Sequence, residues 1–263
     1  MKQLILILLT LVSAGASLAQ PSTTAKIDTL LSAYAKINQF NGSALVTQKG
    51  KVLLHKGYGT SSAGIFQIYS ITKTFTSTLV LKLEELHKLS ITDKLSKYYP
   101  NFPKGDSITI EQLLSHTSGI YDYTHGNDMP DMQEQTFINF LSKKELDFPP
   151  GTNWSYSNSG YYLLGFIIQK VTGMPYEQAI HQYILDPLQM THSGFDFNGL
   201  ESPYKTIGYA TFTSKVKKPA VIYAAPGPYA AGAIYATVGD MYKYHQALQN
   251  FTIISQASMA KAY

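Results

Sequence analysis

The stretch Phe66-Gln67-Ile68-Tyr69-Ser70-Ile71-Thr72-Lys73-Thr74-Phe75-Thr76-Ser77 decides how the rest of the chain is read. Ile71, Phe75, Leu79, Leu83 and Leu86 trace one stripe of a helix that starts at Ser70, and Lys73 falls three residues after that serine. This spacing sets a hydroxyl and an amine on one helical face, about one turn apart. A serine hydroxyl is a weak nucleophile at neutral pH and needs a base beside it, which lysine becomes once its ammonium has lost its proton. At a helix start, unpaired N–H groups and the macrodipole favour developing negative charge, which suits a serine that becomes acylated. The plainer alternative is an N-cap, for which serine is a preferred residue. Spacing alone does not choose, because Ser-x-x-Lys also begins at Ser202, Ser214 and Ser258. Ser202 precedes a proline, Ser214 lies in a lysine-rich loop and Ser258 is near the last residue, so only Ser70 opens a long amphipathic helix.

A second constellation, Tyr156-Ser157-Asn158, supplies what the first lacks. In an extended loop, residues two apart face the same way, so the phenol of Tyr156 and the amide of Asn158 point at one cleft. A phenol of pKa about 10 and an amine of about 10.4 are both poor bases, and under about one free lysine in a thousand is neutral at pH 7. Burial lowers the pKa of lysine and a nearby ammonium lowers that of tyrosine, so a shared proton serves both. Which of the two is the base stays open. Asn158 has an amide oxygen for Lys73 and an amide nitrogen for a substrate carbonyl. The competing readings are packing for Tyr156 and a turn for Asn158.

The 263 residues carry 21 basic and 17 acidic side chains, a formal charge of +4, twenty tyrosines and no cysteine. Disulfides, lipidated cysteines and thiolate metal sites are therefore excluded. No histidine pair has metal-ligand spacing, and neither a metal nor a cofactor is expected. The only close basic cluster, Lys215, Lys217 and Lys218, reads as a solvated hairpin tip, and nothing resembles the dense basic face of a nucleic-acid binder. At the start, Lys2, the apolar run Leu4 to Val12 and Ser17-Leu18-Ala19 read as a signal peptide over residues 1–19. The run is shorter than the roughly 18 residues a membrane span requires, so no transmembrane anchor is expected after cleavage and the protein is exported, periplasmic or secreted.

Along residues 20–263 the expected order begins with a helix over 24–37 and a hairpin of strands 43–47 and 51–55 turning at Gln48-Lys49-Gly50. The helix from Ser70 follows, then short helices and loops between Pro100 and Pro150. Later helices are read over 161–171, ended by Gly173, over 176–184, and over 237–248 with Thr237 and Asp240 as a capping pair.

With these motifs in place, the chain resembles the serine β-lactamases and penicillin-binding enzymes. The match is to the branch with tyrosine in the second motif, which contains class C β-lactamases, D-alanyl-D-alanine carboxypeptidases and related esterases. The similarity runs through FQIYSITKTFTS (66–77), ITIEQLLSHTSGI (108–120), FPPGTNWSYSNSGYYLLGFIIQKVTG (148–173) and AAGAIYATVGDMYKYHQAL (230–248). The resemblance implies an α+β fold, an antiparallel sheet flanked by helices, with residues 70–200 mostly helical and the cleft at the junction. It implies Ser70 as the acylated nucleophile, Lys73 as its amine partner, Tyr156 as base or proton relay and Asn158 as a substrate-amide ligand. His116 belongs to a segment read as structural. The substrate implied is a β-lactam, a D-alanyl peptide or a small ester, with the oligomeric state open. Family members continue through further strands bearing a third motif, Lys-Thr-Gly or His-x-Gly, which supplies an oxyanion-hole donor worth about 100- to 1,000-fold in rate. No such triplet follows Asp240, so the sheet is expected to lack its C-terminal strands. The rival expectation is a non-catalytic module that binds cell-wall peptide, or an inactive fragment.

Overall fold

The computed structural model of the chain describes residues 22–126, 130–221 and 227–262; the expected signal segment lies outside them. Helix α1 (Thr23–Lys36) starts at Ser22, whose Oγ accepts from Ala25 N at 3.2 Å. It buries none of its residues and is tied to its neighbour by Asp28, which accepts from Lys56 Nζ at 2.7 Å and Tyr58 OH at 2.8 Å. Strands β1 (Gly42–Gln48) and β2 (Lys51–Tyr58) form an antiparallel hairpin. Lys49 and Gly50 both carry positive φ at its turn, the backbone twist that suits a two-residue hairpin loop.

The short strand β3 (Ile65–Gln67) leads through a 3₁₀ turn at Tyr69–Ile71 into α2 (Thr72–Glu85). Helix α3 (Ile110–Leu114) opens on a reciprocal capping box between Thr109 and Gln112. Next come α4 (Glu134–Leu141) and α5 (Asn158–Thr172), the latter capped by Ser157, whose Oγ accepts from Gly160 N at 3.3 Å. Helix α6 (Tyr176–Ile180) passes into a π-helical turn at His181–Leu185. Strands β4 (Tyr209–Phe212) and β5 (Lys217–Pro219) form a hairpin whose turn holds Lys215, while Lys217 and Lys218 of the expected tip cluster lie exposed on β5 itself. The one-turn α7 (Tyr229–Gly232), β6 (Tyr235–Thr237), α8 (Val238–Gln249) and α9 (Gln256–Ala262) complete the order. Thr237 caps α8 by accepting from Asp240 N at 3.1 Å.

The architecture is α+β, with the core in the helical part. Phe75, Leu79 and Leu83 of α2 and Leu163, Leu164 and Ile167 of α5 are completely buried, and each such side chain removed from water contributes about 1.5–3 kcal/mol. The ring of Phe75 stacks on Tyr244 of α8 at 3.9 Å, which fixes α8 across α2. Among the described residues the strands pair in three separate two-stranded ladders, β1–β2, β3–β6 and β4–β5. The β3–β6 ladder sets the start of α2 beside the start of α8, since Phe66 pairs with Ala236.

Several boundaries differ from the expectations. The helix expected from Ser70 begins at Thr72, because a left-handed φ of 42° at Tyr69 turns the chain sharply and leaves Ser70 inside the 3₁₀ turn. The helix expected from Tyr161 starts at Asn158, so that residue is helical rather than part of an extended loop. The helix expected over 176–184 is split at His181, where the bonding widens. β3 and β6 were not anticipated, since three residues hold no readable alternation. Among the described residues no helix is long and apolar enough to cross a membrane, and no group of three or more His, Asp or Glu could hold a metal ion.

Candidate active site

The structure brings Ser70, Lys73, Tyr156 and Asn158 into one hydrogen-bonded cluster. Ser70 Oγ accepts from Tyr156 OH at 2.8 Å and lies 3.3 Å from Lys73 Nζ. Lys73 Nζ also donates to Asn158 Oδ1 at 2.9 Å and to the carbonyl of Ala231 at 2.7 Å. Its remaining sides face aromatic rings, Tyr156 at 4.9 Å and Tyr161 at 5.5 Å from the ring centres. Lys73 as a residue is 6% exposed, and its amine pairs with no carboxylate among the described residues.

Burial is the main reason the Lys73 ammonium is pushed down to about 8 from the usual 10.5, and the charge of Asp122 partly opposes it. At that value about one amine in ten is neutral at pH 7. The neighbours also orient the neutral form. Ala231 O and Asn158 Oδ1 can only accept, so they take the two N–H bonds of an uncharged amine and leave its lone pair toward Ser70.

Each side chain is placed by a different element. Ser70 is presented by the turn after Tyr69, whose positive φ is a strained state for a bulky residue, of the kind that gathers at functional sites. The Ala231 carbonyl is fixed by α7, which α2 grips through two threonines. Thr76 Oγ1 donates to Ala230 O at 2.7 Å, and Thr72 Oγ1 accepts from Ile234 N at 3.1 Å. On its other side α7 packs close to α5 because residue 165 is glycine. A Cβ there would stand 2.4 Å from the Tyr229 ring and 2.7 Å from the Ala230 methyl.

Tyr156 and Asn158 are held by the loop 116–122. Backbone bonds run from Ser155 N to His116 O (3.0 Å), Gly151 N to Thr117 O (2.8 Å) and Asp147 N to Gly119 O (2.8 Å). Gly119 has a φ of 71°, and a Cβ on it would meet the Phe148 carbonyl at 2.1 Å, so this close approach requires glycine. His116 Nδ1 accepts from Ser157 N at 3.1 Å, and its ring lies 4.6 Å from that of Tyr156 and 5.2 Å from that of Tyr161. Burial first, and the Lys73 ammonium second, hold His116 down at about 4, so it is neutral and free to accept that bond.

Sequence reasoning missed Asp122. It is 2% exposed, and its Oδ2 accepts from both Asn158 N (2.9 Å) and Asn158 Nδ2 (3.1 Å). One Nδ2 hydrogen is thereby used, and the expected contact of this amide with a substrate carbonyl has only the second one left. An aspartate three residues after Gly119 carries no pattern of its own, so the signal was absent from the sequence.

The other three Ser-x-x-Lys patterns lead elsewhere. Ser258 Oγ donates to Glu85 at 2.6 Å and Lys261 pairs with Glu84 at 2.7 Å, which pins α9 to the end of α2. Lys205 donates to Asn198 O and Lys217 sits over the Phe212 ring.

The family model for Beta-lactamase matches residues 27–263. The chain belongs to the beta-lactamase family. Among its beta-lactamase-family relatives, the Bacillus subtilis protein named as penicillin-binding protein PbpX is 36% identical over 242 residues, covering 89% of this chain and 61% of that protein. The teichoic acid D-alanine hydrolase of Staphylococcus aureus is 31% identical over 233 residues, covering 84% of this chain and 57% of that protein. The crystal structure of FmtA from Staphylococcus aureus superposes with a TM-score of 0.75 at 28% identity, covering 90% of this chain and 69% of that one. The chain thus spans about 60% of the length of these two curated relatives.

Proposed function

We propose that this beta-lactamase-family chain is a serine hydrolase that works through an acyl-enzyme on Ser70. The observation that carries the proposal is the position of Ser70 Oγ, 2.8 Å from a phenol and 3.3 Å from an amine that burial has brought to about 8. In this reading Ser70 Oγ attacks the acyl carbon while its proton passes to the Lys73 lone pair. The Tyr156 phenol then gives its proton to the departing amine or alkoxide and recovers one from the Lys73 ammonium. Water enters by the reverse route, its proton taken by the same pair, and releases the acid and Ser70. The free Nδ2 hydrogen of Asn158 is the donor for the substrate carbonyl.

The substrate class proposed is a D-alanyl ester or peptide, with β-lactams as acylating analogues. The relatives named as a D-alanine hydrolase and as a penicillin-binding protein support it. Residues 1–19 read as an export signal, which would place the reaction outside the cytoplasmic membrane.

The test is peptide mapping by mass spectrometry after incubation with benzylpenicillin and, separately, with a D-alanyl ester. An adduct on Ser70, lost in Ser70→Ala, is the expected result. Saturable binding with neither adduct nor turnover would replace the proposal with a non-catalytic peptide-binding module.

A further inference from the structure

Asp122 stands at the far end of a line of contacts, Ser70–Lys73–Asn158–Asp122, that no motif announces. Its four hydrogen bonds all come from donors. Oδ1 takes Thr124 N and Thr124 Oγ1, both at 2.9 Å, and Oδ2 takes the two Asn158 groups. A carboxylate suits this set of four donors, since an amide in its place would turn an NH₂ toward one pair of them. Pinning Asn158 Nδ2 has a second effect. The amide is prevented from rotating by half a turn, so its oxygen, and not its nitrogen, faces Lys73.

We infer, on the basis of the hydrolase reading above, that Asp122 is a positioning residue which stabilises the Lys73 ammonium formed as Ser70 loses its proton. The anion does this through the amide of Asn158, whose dipole it aligns, and through its own field in a buried setting. When Lys73 takes the proton, positive charge develops at one end of the line while a fixed negative charge waits at the other. The remaining groups facing Lys73 cannot substitute for it. Tyr156 and Tyr161 present ring faces, His116 is neutral, and Ala231 presents a carbonyl dipole. The titratable groups whose charge state feels Asp122 are Lys73, His116 and Tyr123.

The deciding experiment is an NMR titration of the Lys73 side chain in isotopically lysine-labelled protein, read beside the pH profile of acylation. In Asp122→Asn the Lys73 midpoint is expected to fall by about half a unit or more, since an opposite charge has been removed. The acid limb of the rate profile should move down with it, and kcat should drop about 10- to 100-fold with KM little changed. A merely structural aspartate would lower the amount of active protein without moving either midpoint, and that result overturns the inference. Asp122→Glu serves where Asp122→Asn does not fold. It keeps the charge, so Lys73 should titrate at its wild-type midpoint while kcat falls, and a lowered midpoint or an unchanged kcat would overturn the inference. If the wild-type protein shows no acylation, the hydrolase reading fails, while the Lys73 midpoints still decide what Asp122 does.

Discussion

Helix α2 buries nine of its fourteen residues and α5 ten of its fifteen, whereas β1 buries one of seven and β2 two of eight. The helical part is a closed core, and the ladders are half-wet frames around it. The candidate site leans on the first region: Lys73 and Asn158 stand in the first turns of α2 and α5, and Ala231 lies on the turn packed between them. A lysine that titrates low needs surroundings that exclude water, and this region provides them. The ladders act at the margin, β3 delivering the chain to Ser70.

The sharpest way to break that division is Lys73→Met. It should cut acylation by about 100- to 10,000-fold, in a stopped-flow burst assay, while leaving the thermal midpoint equal or higher, because a buried amine is replaced by a chain of similar volume. A large loss of stability would instead make Lys73 part of the scaffold. Next, Phe75→Ala should cost about 3–5 kcal/mol in urea unfolding, while Val52→Ala on β2 stays within about 0.5 kcal/mol. Equal losses would erase the contrast between core and frame. Gly165→Ala sharpens it further. Overpacking against Tyr229 and Ala230 should cost about 1–3 kcal/mol and shift the Ala231 carbonyl, so calorimetry and acylation rate fall together.

The smallest effect concerns His116. Its folded value of about 4 lies below the ordinary 6.5, so between these pH values the unfolded chain binds a proton that the folded one refuses. Stability therefore falls as pH drops through this window, by at most about 1.4 kcal/mol per pH unit from this group. His116→Asn, which keeps an acceptor for Ser157 N, should flatten the slope between pH 6.5 and 5 in urea melts.

What the sequence made legible follows the same division. The stripe Phe75, Leu79, Leu83 and the run after Tyr161 identified α2 and α5 because long amphipathic helices repeat their signal over several turns. Ser70, Lys73, Tyr156 and Asn158 were legible as residues because their chemistry is scarce and their spacing is short. Their assembly was not, since it depends on groups with no side-chain signature. The Ala231 carbonyl could come from any residue, and the positive φ at Tyr69 runs against what tyrosine favours. Asp122 and β3–β6 were missed for the same reason: their partners lie far away in sequence, 36 residues on for Asp122.

The way residues 147–158 are laid along 116–122 bears on how such a chain can diversify. The three bonds to His116 O, Thr117 O and Gly119 O all start from backbone nitrogens, and residues 152–154 are exposed, Trp154 at 61%. The side chains at 152 and 153 bond only locally, Thr152 Oγ1 donating to Pro149 O at 2.7 Å and Asn153 Oδ1 accepting from Trp154 N at 2.8 Å, whereas Trp154 meets the His116 ring edge-on. The rim is therefore open to drift at positions 152 and 153 while the cluster of Ser70, Lys73, Tyr156 and Asn158 behind it keeps its frame, and descent with modification can reshape the entrance without rebuilding what lies beneath it.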